Sequence, residues 1–331
     1  MAAGWKLKCG EITETSLDEE RIWTLFNYVF SDSSKKRNTY KFGLIKSILD
    51  LVFEGKVTEQ GVFYTYEEIF ARFTENYWNL VTKYHLKQMK PDGRSVYSKI
   101  ETILMSSIKN LENMNIIEFS NINDALKNSI IKDVTKECKK YVVGALYADF
   151  DGVIYSFDLS GKGIVLNECI YKFMIKYKIQ LERLNYYSWA KFLEQINDDD
   201  ALVKVLDKLE LSTPRRQDLS IYREILYKEF EENRCFYCGK KLSNNKIHVD
   251  HFIPWSFVKN DKLWNFVLAC PTCNLRKNNK LPNIDDVRKL QNRNSKLKKL
   301  DAELVKKDFE DYNEHLINDI WEYAKMSGFK E

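Results

Sequence analysis

Two cysteine pairs, Cys235 and Cys238 in CFYC and Cys270 and Cys273 in CPTC, are separated by 31 residues; the other three cysteines are scattered singly. A CxxC turn puts two sulfurs on one side of a tight knuckle. Two such knuckles close a tetrahedral four-sulfur site for zinc, with Zn–S distances near ~2.3 Å. Gly239, directly after the first pair, suits such a turn. A redox CxxC would need a thioredoxin-like βαβ setting, which the surrounding sequence lacks. Four thiolates leave no open position for water, so this zinc is expected to be structural. Between the knuckles, KIHVDHFIPWSF places His248 and His251, two of the four histidines in the protein, around Asp250.

Local structure must present these groups. IHVDHF alternates as a strand does, which puts His248 and Asp250 on one face and Val249 on the other. FVLA, residues 266 to 269, reads as a second strand. CPTCNLRKNN then turns into a helix, with Pro271 suited to its first turn. Knuckle, strand, long loop, strand, knuckle and helix make a ββα unit stapled by zinc.

Residues 235 to 282 resemble the HNH endonuclease family, the ββα-metal nucleases of restriction enzymes, nuclease colicins and RNA-guided CRISPR nucleases. The family pattern has Asp-His at the end of the first strand, Asn before the second strand, and His or Asn on the helix. Here these positions are Asp250-His251, Asn265 and Asn274. Phe252-Ile253-Pro254 and Lys277 also fit, and LWNFVLACPTCNLRKNNKLP is close throughout. The resemblance covers about 50 of the 331 residues. It implies phosphodiester hydrolysis with His251 as general base, since an imidazole can take a proton at neutral pH. It makes Asp250 and Asn274 oxygen ligands of a catalytic Mg²⁺ or Mn²⁺. Asn in place of the commoner His on the helix disfavours softer metals. Asn265 would pin the long loop and so orient His251. Arg276 and Lys277 are candidates to grip the scissile strand; His248 is either a phosphate contact, a partner of a metal ligand, or a strand-surface histidine with no catalytic role; Trp255 and Trp264 read as packing residues.

Charge points the same way. Net charge is +4, yet residues 233 to 300 hold 15 Lys and Arg against 4 Asp and Glu, so the remainder is net negative. A basic segment on a mildly acidic body suggests a polyanionic partner met at one face. Hydrophobic content of 44% and aromatic content of 14% are globular values. No apolar run approaches the ~20 residues that span a bilayer, and the N-terminus lacks a signal core, so a cytoplasmic location is expected. Cys9, Cys138 and Cys169 read as buried thiols in a reducing compartment.

The fold class expected is α+β: a mostly helical N-terminal body with a small β-hairpin, then the ββα-metal module and terminal helices. Residues 1 to 140 read as a helical, winged-helix-like domain. Helices run through Phe42, Ile45, Leu49 and Val52, then through Ile69, Phe73 and Tyr77 behind a Thr65/Glu68 capping box. KPDGRS, residues 90 to 95, is a turn, followed by a helix through Ile100, Ile103, Leu104, Ile108 and Leu111. Residues 141 to 228 read as hairpin plus helices, a sensing or target-recognition region, with strands on either side of Asp151-Gly152. Residues 229 to 282 form the nuclease module and 283 to 331 a helical extension of one or two helices. STPRRQ, residues 212 to 217, is the best linker. ADFDGVIYSF resembles the DxDG nucleophile motif of haloacid-dehalogenase phosphatases, but helices follow where that family needs a long α/β domain. Asp149 and Asp151 therefore read as turn residues.

The function expected is a metal-dependent DNA endonuclease of restriction or phage defence, with RNA left open. The alternatives are a non-catalytic zinc module that binds nucleic acid and an effector controlled by a partner ATPase or other defence-system protein. The chain has no P-loop of its own.

Overall fold

The computed structural model describes residues 4–331 except 92, 94, 110–117, 212–218, 229–232, 243–246 and 311. It divides into two compact units, Met1–Pro214 and Arg215–Glu331. The division falls inside the expected linker, residues 212 to 217, which lies outside the described residues.

The helices of the first unit are α1 (Glu19–Phe30), α2 (Tyr40–Asp50), α3 (Tyr66–Thr82), α4 (Lys99–Lys109), α5 (Asp124–Asp149), α6 (Glu168–Lys176) and α7 (Lys178–Glu194), then the short α8 (Asp199–Leu202) and α9 (Val205–Leu211). The capping box starts α3: Thr65 Oγ1 accepts the Glu68 amide at 3.1 Å while Glu68 accepts the Thr65 amide at 2.9 Å. Ile69, Phe73 and Tyr77 are buried along it. Helix α2 buries Phe42, Ile45 and Leu49 and stops at Asp50, before Val52. Leu111, and Asp92 and Arg94 of the KPDGRS turn, lie outside the described residues.

The same unit holds an antiparallel sheet of β1 (Cys9–Gly10), β2 (Lys56–Thr58), β3 (Gly61–Thr65), β4 (Tyr155–Asp158) and β5 (Gly163–Leu166), in the order β1-β4-β5-β3-β2. Two expectations change here. Residues 141 to 149 are not a strand: they complete α5, burying Val142, Val143 and Leu146 at helical spacing, and Asp151 and Gly152 turn the chain with φ of +52° and +80°. The hairpin is β4–β5 instead. Tertiary burial has overridden the β propensity of Tyr-Val-Val. The β2–β3 hairpin is also no free wing, because β3 pairs with β5. Helix α5 and the sheet therefore run across the expected boundary at residue 140.

Asp149 closes α5 and accepts from Lys41 at 2.5 Å and Ser34 at 2.6 Å; Asp151 pairs with Arg21 at 2.6 Å. Of the two expected turn residues, Asp151 lies in the turn, whereas Asp149 is the last residue of α5. Of the three scattered cysteines only Cys138 is buried, its thiol pushed up to about 12 by desolvation; Cys9 is exposed and Cys169 half-buried.

The second unit opens with α10 (Ser220–Lys228), so a boundary at 228 does not isolate the module from it. Strand β6 (His248–His251) pairs antiparallel with β7 (Phe266–Ala269), and His251 sits opposite Phe266. Between them lies the one-turn α11 (Trp255–Val258), and α12 (Pro271–Lys277) follows the second cysteine pair. Three terminal helices follow rather than one or two: α13 (Ile284–Leu297), α14 (Glu303–Phe309) and α15 (Glu314–Met326). Asn283 caps α13 and Asn313 caps α15 through their side chains. Among the described residues, no helix is long and apolar enough to cross a membrane.

Candidate active site

The four cysteine sulfurs lie within 4.8 Å of one another, with Cys238 Sγ 3.9 Å from Cys270 Sγ. A tetrahedral ZnS₄ centre with ~2.3 Å bonds needs sulfurs about 3.8 Å apart, so the residues fit zinc. Gly239, at φ +70°, closes the first knuckle by donating its amide to the Cys235 carbonyl at 2.8 Å. The Phe236 amide donates to Leu268 at 2.8 Å and ties this knuckle to β7. Cys270 caps α12, its sulfur 3.4 Å from the Cys273 amide. Burial and the neighbouring sulfurs push the Cys273 thiol up to about 12, which a bound cation would reverse.

Asp250 and His251 are both buried at the end of β6. Tyr237, from inside CFYC, donates to Asp250 Oδ2 at 2.6 Å. Burial first, and the Asp250 charge second, hold the Tyr237 hydroxyl well above its ordinary range, so it stays a donor. Lys277 Nζ is 3.3 Å from Asp250 Oδ2 and donates to the His251 carbonyl at 2.6 Å. His251 Nε2 meets Asp261 Oδ1 at 2.8 Å, and its ring packs edge-on against Phe266 with centroids 4.5 Å apart. Helix α10 supports this arrangement: Tyr222 packs on Phe266 and donates to the Asp261 carbonyl at 3.0 Å.

Asn265 is fully buried. Its side chain accepts from the Ile253 amide at 2.8 Å and donates to the Ile253 carbonyl at 3.0 Å, while its own carbonyl accepts from the Phe252 amide at 2.7 Å. These bonds extend the ladder past His251 and fix the chain that leaves it. The terminal helices hold the same turn. Arg293 and Asn294 of α13 donate to the carbonyls of Phe266 and Trp264, and Asp308 of α14 accepts the Leu263 amide at 2.8 Å. Trp264 is buried and stacks on Tyr312, a packing role.

Asn274 stands one residue beyond the second knuckle, with Nδ2 3.5 Å from Nδ1 of the exposed His248, which leaves its amide oxygen available as a ligand. Asp250 and Asn274 together offer hard oxygens, the donor chemistry of Mg²⁺ or Mn²⁺. Arg276 is exposed, with Nη2 3.9 Å from Cys273 Sγ. Lys277, also a candidate phosphate grip, instead faces inward onto Asp250.

The sequence reading missed Tyr237 and Asp261. Tyr237 carried a signal, a hydroxyl between two metal ligands. Asp261 carried a weaker one, as one of four acids in a basic stretch.

Residues 235–283 match the family model described as HNH endonuclease. No curated protein and no solved structure matches the chain significantly.

Proposed function

We propose that the HNH endonuclease module at residues 235–283 hydrolyses DNA phosphodiester bonds in a metal-dependent reaction, with His251 as general base. The observation that carries this reading is the pairing of the buried His251 with Asp261 at 2.8 Å, directly after Asp250 on a hairpin framed by four cysteines. With the Asp261 carboxylate accepting Nε2–H, Nδ1 keeps the lone pair that takes a proton from the attacking water. Lys277 holds the His251 carbonyl and Asn265 the next two residues, so the base is oriented from both sides. Asp250 and Asn274 would hold Mg²⁺ or Mn²⁺. Bound there, the ion supplies charge stabilisation for the phosphate and for the leaving 3′ oxygen. The four cysteines hold zinc, which keeps the start of α12, and hence Asn274, in place.

Arg276 and the basic stretch 233 to 300 favour a polyanionic substrate. Met1–Pro214 contributes none of these groups, and we assign it target choice or control by a partner such as an ATPase. A restriction or phage-defence role, as expected from the sequence, would make foreign DNA the target.

The test incubates plasmid, linear DNA and RNA with the protein under Mg²⁺, Mn²⁺ and chelator. DNA cleavage should need the added ion and fall at least ~100-fold in His251→Ala, the usual worth of a positioned base. Cleavage at the wild-type rate by His251→Ala, or after exhaustive chelation with zinc retained, would refute it.

A further inference from the structure

We infer that Tyr237 is a positioning residue for the catalytic metal site, holding Asp250 from within the first zinc knuckle. The inference rests on the nuclease reading above and concerns the same carboxylate. Tyr237 sits between two cysteines, and its neighbour Phe236 is bonded to β7 opposite Val249, so its backbone is fixed to the hairpin that carries Asp250. Its ring packs edge-on against Phe236, with centroids 5.3 Å apart.

Packing alone would be served by phenylalanine. The hydroxyl instead reaches a carboxylate oxygen at 2.6 Å, in the range of a charge-assisted bond. That bond engages Oδ2. Oδ1 is the less engaged oxygen, with the Lys277 ammonium 3.5 Å away, and so is the natural donor to a divalent ion. A buried carboxylate that loses this donor is no longer held in one orientation, which weakens it as a ligand. The zinc knuckle thereby reaches both catalytic-ion ligands: Asn274 through the helix start and Asp250 through Tyr237.

Mn²⁺ is the probe, counted by electron paramagnetic resonance in titrations of the full-length zinc-loaded protein without nucleic acid. Wild type should bind one Mn²⁺ that Asp250→Ala loses. Tyr237→Phe, which keeps the ring, should bind it about 10-fold more weakly or worse, with zinc content and unfolding temperature unchanged. Wild-type Mn²⁺ affinity in Tyr237→Phe, with Asp250→Ala still defective, overturns the positioning role alone. Loss of zinc from Tyr237→Phe also overturns it, because the hydroxyl then serves the knuckle. If Asp250→Ala binds Mn²⁺ as wild type does, the Asp250 assignment falls and this inference with it.

Discussion

Replacing Asp261 with asparagine probes the proposed base without touching metal, zinc or substrate contacts. Both partners are nearly enclosed, with side chains 7% and 10% exposed, so solvent screens their 2.8 Å contact little. A hydrogen bond to a charged group contributes about 1.5–3 kcal/mol, roughly twice a neutral one. If the asparagine presents its carbonyl to Nε2–H, the tautomer survives and about half of that is lost. At 1.36 kcal/mol per decade, the rate then falls roughly 4- to 13-fold. If the amide NH₂ faces Nε2 instead, the proton moves to Nδ1, the lone pair leaves the reacting side, and the loss can reach ~10⁴, as carboxylate-to-amide exchange does in a serine-protease triad. We therefore expect single-turnover plasmid cleavage at saturating Mg²⁺ to fall at least ~4-fold, with zinc content and DNA affinity unchanged. Placed in His251→Ala, the same change should cost nothing further, because the two act as a unit. Cleavage by Asp261→Asn within about twofold of wild type, or full additivity in the double variant, would refute the reasoning.

Two other variants separate the remaining groups. Cys270→Ser removes one zinc ligand and the cap of α12; a structural zinc contributes on the order of 10 kcal/mol to its module. Zinc content, protease resistance of residues 235–283 and cleavage should fail together while Met1–Pro214 stays folded, and a zinc-retaining, active variant would show the four-sulfur site to be misassigned. Arg276→Ala should flatten the log–log salt dependence of duplex binding by about 0.9, whereas Lys277→Ala should leave that slope alone and still impair cleavage. Equal flattening by both would contradict the inward placement of Lys277.

The parts legible in the sequence are those whose information is local. Two CxxC pairs and the Asp-His motif carry their spacing with them, so the knuckles, both strands and α12 could be placed before any coordinates. The capping box at Thr65 is local in the same way. Residues 141 to 149 were not, because β-branched and aromatic side chains suit a strand while Val142, Val143 and Leu146 also fall at helical spacing, and packing decided between them. Asp261 and Tyr237 stayed hidden because their partners lie 10 and 13 residues away, across a loop and a knuckle. Lys277 looked like a surface cation until the turn of α12 aimed it at Asp250.

The braces that α13 and α14 place on the turn at Leu263–Phe266 impose an order of events on synthesis. Leu263 and its partner Asp308 are 45 residues apart. At about 5–20 residues per second, the ribosome makes the second some seconds after the first. During that interval the Asn265 turn lacks the α14 contact that closes it, although the cysteines and the Asp250-His251 pair already exist. The segment made last among those that hold the turn thus follows every residue of the proposed site.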